Sequence, residues 1–159
     1  MEENRRQTLD RVDRRILDLL QREGALSVAE VASRTGLSTT TCWRRIQHME
    51  QGGVIRGRVA LLDRSALGLD VTIFAHVKLS TQGRDAIAAF AEAIRERPEV
   101  LDCYTTMGEW DFMLRIVTKD IKAYEAFYLD HLSKLPYVQS INSSVTVTVI
   151  KETTVLPIE

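Results

Sequence analysis

Apolar positions in the first fifty residues recur at helical spacing in three separate stretches. Leu9, Val12, Ile16, Leu19 and Leu20 predict an amphipathic helix over residues 9–22 that ends before Gly24. Ser27 with Glu30 three places on has the form of a capping box, and it starts a short helix carrying Val28, Val31 and Ala32 that stops at Gly36. Ser38 is the next N-cap, and Cys42, Ile46 and Met49 give the following helix one narrow apolar stripe before Gly52 and Gly53 end it. Two short helices joined across Gly36 by so few residues must cross steeply, which predicts a helix-turn-helix with Ala32 and Gly36 as the small residues at the crossing.

Beyond Gly53 the period shortens. An alternating stretch from Val54 to Leu62 predicts a strand that acts as a hinge, with Arg56 and Arg58 as arginines able to reach a phosphate backbone or solvent. From Leu69 on, Val71, Ile73, Ala75, Val77 and Leu79 alternate as a strand. A helix follows over about residues 85–97, with Ile87, Phe90, Ala91 and Ile94 on one side and Pro98 as its stop. Residues 100–106 and 112–117 read as two strands about the tight turn MGEWD. Asp120 caps a helix carrying Ile121, Tyr124, Phe127, Tyr128 and Leu132, which Pro136 closes, and a last strand is expected over residues 138–151. The order is βαββαβ, so the expected fold class is α+β: a winged helix-turn-helix over residues 1–53, a linker strand over 54–68, and a ferredoxin-like domain over 69–159 with both helices on one face.

In the last strand Val145, Val147 and Val149 point one way and Ser144, Thr146 and Thr148 the other, so the valine side is expected to meet the helices. The first strand of this domain offers Phe74 and His76 to the face away from the helices. A face that is neither apolar nor charged throughout but carries an aromatic suits a partner sheet, and a homodimer through it is expected.

The helix over residues 38–50 raises a question of chemistry. On a helical wheel Cys42, Ile46 and Met49 fall within about 60° of one another, while Thr40, Arg44, Gln47 and His48 lie opposite with nothing to bury. Short hydroxyls near a helix N-terminus and longer donors further along suit insertion into a DNA major groove. Ser38, Thr40, Thr41, Arg44, Arg45, Gln47 and His48 are the expected DNA contacts, with Arg44 and Arg45 on phosphates and Thr40, Thr41, Gln47 and His48 on base edges. Each residue also has a plainer reading. The threonines serve as caps and solvated surface, Trp43 as a core or flank packer in place of a base-stacking ring, and His48 as an exposed side chain.

Charge sharpens the picture. The net charge of −1 hides an asymmetry, because residues 1–64 hold twelve arginines, no lysine and nine acids, whereas residues 65–159 hold nine basic and thirteen acidic residues. Arginine's planar fork suits phosphates and guanine edges better than an ammonium does, although the same arginines also suit solvated helix faces. Cys42 and Cys103 stand in no metal or redox spacing and are expected to be buried reduced thiols. No apolar run is long enough for a membrane span and MEENRRQTLD lacks an apolar stretch behind its charges, so neither anchor nor secretion signal is expected, and the cytoplasm is the expected compartment.

LDRVDRRILDLLQREGALSVAEVASRTGLSTTTCWRRIQHMEQGGVIRGRVALLD resembles the N-terminal half of the Lrp/AsnC family of transcription regulators, and VLDCYTTMGEWDFMLRI with LPYVQSINSSVTVTVIKETTVLP is similar to its effector-binding half. The resemblance implies a DNA-binding regulator that forms dimers and higher assemblies such as octamers and responds to a small effector, usually an amino acid. It implies an effector site at the Gly-x-x-Asp loop, here Gly108, Glu109, Trp110 and Asp111, joined by Met107 and Ser144. A glycine lets the backbone approach a ligand and an Asp at a turn can receive an ammonium, though the same glycine serves a plain tight turn. Many members carry Ser or Thr where this chain has Met107, so a bulkier apolar rim and a hydrophobic effector are expected. No cofactor, metal or catalytic residue is expected. Two alternatives remain open: an enzyme resembling the siroheme decarboxylases, with His76 or His131 at a tetrapyrrole, and a sensor acting on a protein partner.

Overall fold

The computed structural model describes residues 8–158 in two compact units, one of residues 8–61 with 151–158 and one of residues 62–150. The N-terminal stretch read for a secretion signal lies mostly outside the described residues.

The first unit is three helices, α1 (Arg11–Arg22), α2 (Val28–Thr35) and α3 (Thr39–Gln51). Each begins on a side-chain cap. Asp10 accepts from the backbone N–H groups of Val12 and Asp13, while the Asp13 carboxylate accepts from the Asp10 N–H. Ser27 and Glu30 close the same reciprocal pair at α2, and Ser38 Oγ accepts from Thr41 N at α3. Gly36 ends α2 at φ 72°, a left-handed conformation that an L side chain adopts at a cost. A Cβ there would meet nothing within 4 Å, so this glycine answers to the backbone turn and not, as expected, to crowding at the helix crossing. Ile16, Val31, Cys42, Ile46 and Met49 are buried at the centre, joined by Leu20, Leu26 and Ala32. Fully burying an aliphatic side chain of this size contributes roughly 1.5–3 kcal/mol, and this core holds the helices at their angles.

The strand expected from Val54 to Leu62 does not form. After Gly53 the chain runs without ladder partners, and Val59, Leu61 and Leu62 are largely exposed. Alternation supplies one face of a strand, but a strand also needs a neighbour for its N–H and C=O groups, and one chain offers none here.

The second unit opens with a short 3₁₀ turn at Ser65–Leu67 and then follows the expected order: β1 (Val71–Leu79), α4 (Arg84–Arg95), β2 (Val100–Thr105), β3 (Phe112–Thr118), α5 (Ile121–Asp130) and β4 (Val138–Val145). The antiparallel sheet runs β2-β3-β1-β4. Ile73, Ala75, Val77 and Leu79 of β1 and Phe112, Leu114 and Ile116 of β3 are buried with Ala86, Phe90 and Ile94 of α4 and Tyr124 and Phe127 of α5, which places both helices on one face. Leu132, expected on the last helix, is buried from a 3₁₀ turn (Leu132–Lys134) just after it.

β4 is shorter than expected. Val145 pairs with Ile73, Thr146 N still donates to Thr72 O at 2.9 Å, and β1 then runs out at Val71, leaving residues 147–151 without a partner. The valine side therefore does not meet the helices: Val147 is 97% exposed, and Val145 and Val149 are about half exposed. The parity is right, because Ser143, two residues before Val145, bonds the Tyr124 hydroxyl of α5; the valines lie past the helices' reach.

Candidate nucleic-acid interface and effector cleft

α3 is pinned from one side. Cys42, Ile46 and Met49 are almost wholly buried, and this fixes the rotation of the helix about its axis. The opposite side carries Thr39, Thr40, Trp43, Arg44 and His48, all exposed. The Arg44 side chain makes no hydrogen bond or ion pair among the described residues, and neither does the His48 side chain.

The structure divides the residues expected to touch DNA. Ser38 Oγ donates to Thr41 Oγ1 at 2.9 Å, so Ser38 and Thr41 form the cap itself. Gln47 Nε2 donates to Glu50 Oε2 at 2.8 Å, and Arg58 lies 3.7 Å from the other oxygen of Glu50. Arg45, expected on a phosphate, is turned inward: its Nη1 sits 2.7 Å from Asp10 Oδ2 and 2.8 Å from Asp13 Oδ1. The same two carboxylates cap α1, so Arg45 ties the start of the first helix to the middle of the third. The Asp13 backbone N–H and then the Arg45 guanidinium hold the Asp10 carboxyl below the usual range.

Other arginines of the first unit are also engaged within it. Arg15 donates to the Arg34 carbonyl at 2.8 Å, Arg34 pairs with Glu23 at 2.6 Å and Arg22 with Asp18 at 3.0 Å. Several of the arginines read from composition are thus spent on ties inside the unit; Arg11, Arg44 and Arg56 are left without such partners among the described residues. Trp43 narrows a further expectation. Of the two packing places expected, core or flank, the core is ruled out: it is 54% exposed and flanks the bare face beside Thr40 and Gln47. Its position about 100° from the apolar stripe was the signal that it has no core to enter.

In the second unit the β2–β3 turn builds a cleft of about 360 Å³ lined by Gln82, Ile87, Thr106, Met107, Gly108 and Asp111, among others. Gly108 has φ 141°, a value reserved for glycine, and it exposes the backbone at the rim. Met107 is fully exposed there and Glu109 points to solvent. Asp111 is not the open acceptor that an ammonium site asks for. Its Oδ2 accepts from Leu79 N at 2.8 Å and its Oδ1 from Gln82 Nε2 at 2.9 Å, with Lys78 Nζ 3.7 Å away. Its own N–H donates to Val77 O, so Asp111 staples the turn to the end of β1.

Trp110 and Ser144 belong to the other side of the sheet. Trp110 packs against His76 with ring centroids 6.1 Å apart, and Ser144 pairs with Phe74, so neither lines the cleft. That outer face also carries Tyr104, Met113 and an Arg115–Asp102 ion pair. His131 caps the end of α5 beside Phe127 on the helix side, so His76 and His131, the alternatives considered for a tetrapyrrole, lie on opposite sides of the sheet. Among the described residues there is no cluster of three His, Cys, Asp or Glu side chains able to hold a metal, and no helix long and apolar enough to cross a membrane. Cys42 is buried, and desolvation pushes its thiol up; Cys103, also expected to be buried, is exposed.

Known proteins match this arrangement over both units. The AsnC-type helix-turn-helix domain matches residues 9–50 and the Lrp/AsnC ligand binding domain matches residues 72–156. The DNA-binding transcriptional activator DecR of Escherichia coli (strain K12) is 37% identical over 151 residues, covering 95% of this chain and 99% of that protein. A transcriptional regulator of Neisseria meningitidis, solved in complex with L-Met, superposes with a TM-score of 0.90 at 37% identity, covering 94% of this chain and 97% of that one. An AsnC family regulator of Agrobacterium tumefaciens superposes with a TM-score of 0.89 at 44% identity over 94% of this chain and 97% of its own.

Proposed function

The chain belongs to the Lrp/AsnC family of DNA-binding transcriptional regulators, and on that premise we propose that α3 enters the major groove with its exposed face while the β2–β3 cleft takes a small effector. The carrying observation is the pinned helix. With Cys42, Ile46 and Met49 locked into the core, the side chains of Thr39, Thr40, Arg44 and His48 have no partner among the described residues and are presented together. Thr40 and His48 reach base edges, Arg44 sets register on a phosphate, and Gln47 joins them if it releases Glu50. Arg45 stays with its two aspartates. Selection of bound duplexes from random DNA tests the reading, since a reader of sequence enriches a shared motif and a non-reader enriches none.

The effector we propose is an amino acid with a hydrophobic side chain. A relative was solved with L-Met; in this chain the exposed Met107 and the Ile87 wall give the cleft an apolar rim, and its volume lies within the range of about 300–1,000 Å³ usual for small-ligand sites. With both Asp111 oxygens engaged, an incoming ammonium shares Asp111 with Gln82 or displaces it. The protein acts as a homodimer joined through the outer sheet face, and higher assemblies grow from that dimer. Effector binding shifts the assembly between states that present different numbers of α3 helices to DNA. As a regulator it acts on DNA in the cytoplasm.

A further inference from the structure

We infer that Trp43 is a specificity residue of the DNA-reading helix, and that its indole reads the C5-methyl group of thymine. The inference rests on the DNA-reading function of α3 and adds a residue and a base to it. Three observations meet at this side chain. First, Trp43 cannot turn inward: Cys42, Ile46 and Met49 are at most 2% exposed, and they fix the helix with Trp43 outside the core. Second, the indole is 54% exposed in a unit whose other large apolar side chains along α3 are buried, so a bulky hydrophobic surface is left wet. Third, it lies on the flank of the polar face, one turn from Thr40 and Gln47 and next to Arg44, whose charge has no partner among the described residues.

A surface that combines a desolvatable aromatic with unpaired charge complements an anion bearing apolar features. In the major groove the base pairs present hydrogen-bonding groups, and the thymine methyl is the apolar feature among them. The polar residues of α3 match the hydrogen-bonding edges, and Trp43 matches the methyl. Burying the indole against it removes apolar surface from water on both partners.

The test starts from a duplex selected with the wild-type protein, in which each thymine is replaced in turn by deoxyuridine so that only the methyl is removed. Wild-type protein is expected to bind about fourfold more weakly at one or two of these positions, the effect of one lost apolar carbon contact. Trp43→Ala is expected to bind the intact duplex at least tenfold more weakly, to be insensitive to methyl removal at those positions, and to keep the wild-type salt slope, because an indole neutralises no phosphate. Its circular-dichroism melt should match wild type. Trp43→Phe keeps an aromatic edge and part of the discrimination, and it serves if the alanine variant is poorly folded. Equal sensitivity to methyl removal in wild type and variant at every thymine overturns the inference, as does unchanged affinity of Trp43→Ala. A wild-type protein that enriches no duplex brings down the DNA-reading function and this inference together, whereas enrichment without methyl coupling to Trp43 brings down the inference alone.

Discussion

Arg45 spends its guanidinium on Asp10 and Asp13 while Arg44, its neighbour, ends in solvent, so alanine substitutions at the two positions separate folding from binding. Arg45→Ala leaves the nearly buried Asp13 carboxylate short of a partner, which costs about 1–3 kcal/mol and lowers the melting temperature. Arg44→Ala changes stability by less than about 0.5 kcal/mol. It weakens duplex binding and makes the logarithmic salt slope shallower by about 0.9, the mark of one lost phosphate contact. Calorimetry and binding titrations at several salt concentrations check both. Tyr137 offers an opposite case. It sits at φ 66° between Pro136 and β4, where its carbonyl accepts from Ser80, and an L residue in that region costs roughly 1–2 kcal/mol. Because its side chain is about half exposed, Tyr137→Gly gives up little burial and is expected to stabilise the protein by up to about 1 kcal/mol, raising the midpoint of denaturant unfolding.

At the level of elements, the caps dominate what the sequence makes legible. Ser27 with Glu30, Ser38, Asp120, Gly36 and Gly52 all bound their helices where spacing put them, since a cap and its helix are neighbours in the chain. The Asp10–Asp13 box has the same geometry with a less familiar residue pair, and it went unread. What could not be read depended on partners far away. The fate of Arg45 is set by residues 35 and 32 positions earlier, the length of β4 by where β1 begins, and the missing 54–62 strand by the want of any neighbour. The proposed effector cleft was legible as a loop but not as a lined space, because Ile87 and Gln82 arrive from another part of the chain. Two caps and one carboxyl inside α1 also carry a pH dependence. Asp13 N–H, the Gln21 amide and the Ser27 hydroxyl are the leading causes that hold Asp10, Asp18 and Glu30 below their ordinary values. Carboxyls lowered in the folded state stabilise it above the unfolded value, about pH 4, and lose that contribution as pH falls through the folded values. Far-UV circular dichroism should therefore show a first-unit melt that is level above about pH 5 and falls below about pH 4. Ser27→Ala costs about 1 kcal/mol at neutral pH and flattens part of that fall.

On the scale of the molecule, each unit has its own core, and the predictions divide accordingly. The outer sheet face, with Phe74 about a third exposed and Tyr104 half exposed, is expected to be covered in a dimer. Phe74→Asp should shift sedimentation at micromolar concentration toward monomer, and a wild-type protein that sediments as monomer there removes the dimer. A thermal-shift series over the twenty amino acids should favour the hydrophobic ones; stabilisation only by Asp, Glu, Lys or Arg contradicts the effector reading. The first unit is not made from one stretch of chain. The Gln21 side-chain amide donates to Leu156 O at 3.0 Å and accepts from Leu156 N at 2.8 Å, so a residue of α1 holds backbone that lies 135 positions later. At roughly 5–20 residues per second a ribosome needs about 7–27 s to travel from one to the other. The three helices, whose core is drawn from residues 9–55, are therefore expected to fold on the nascent chain while this clasp is still open. A freshly made helix-turn-helix should thus pass through a window in which it is folded but unfastened, and pulse-labelled chains should show residues 151–158 gaining protection from proteases last.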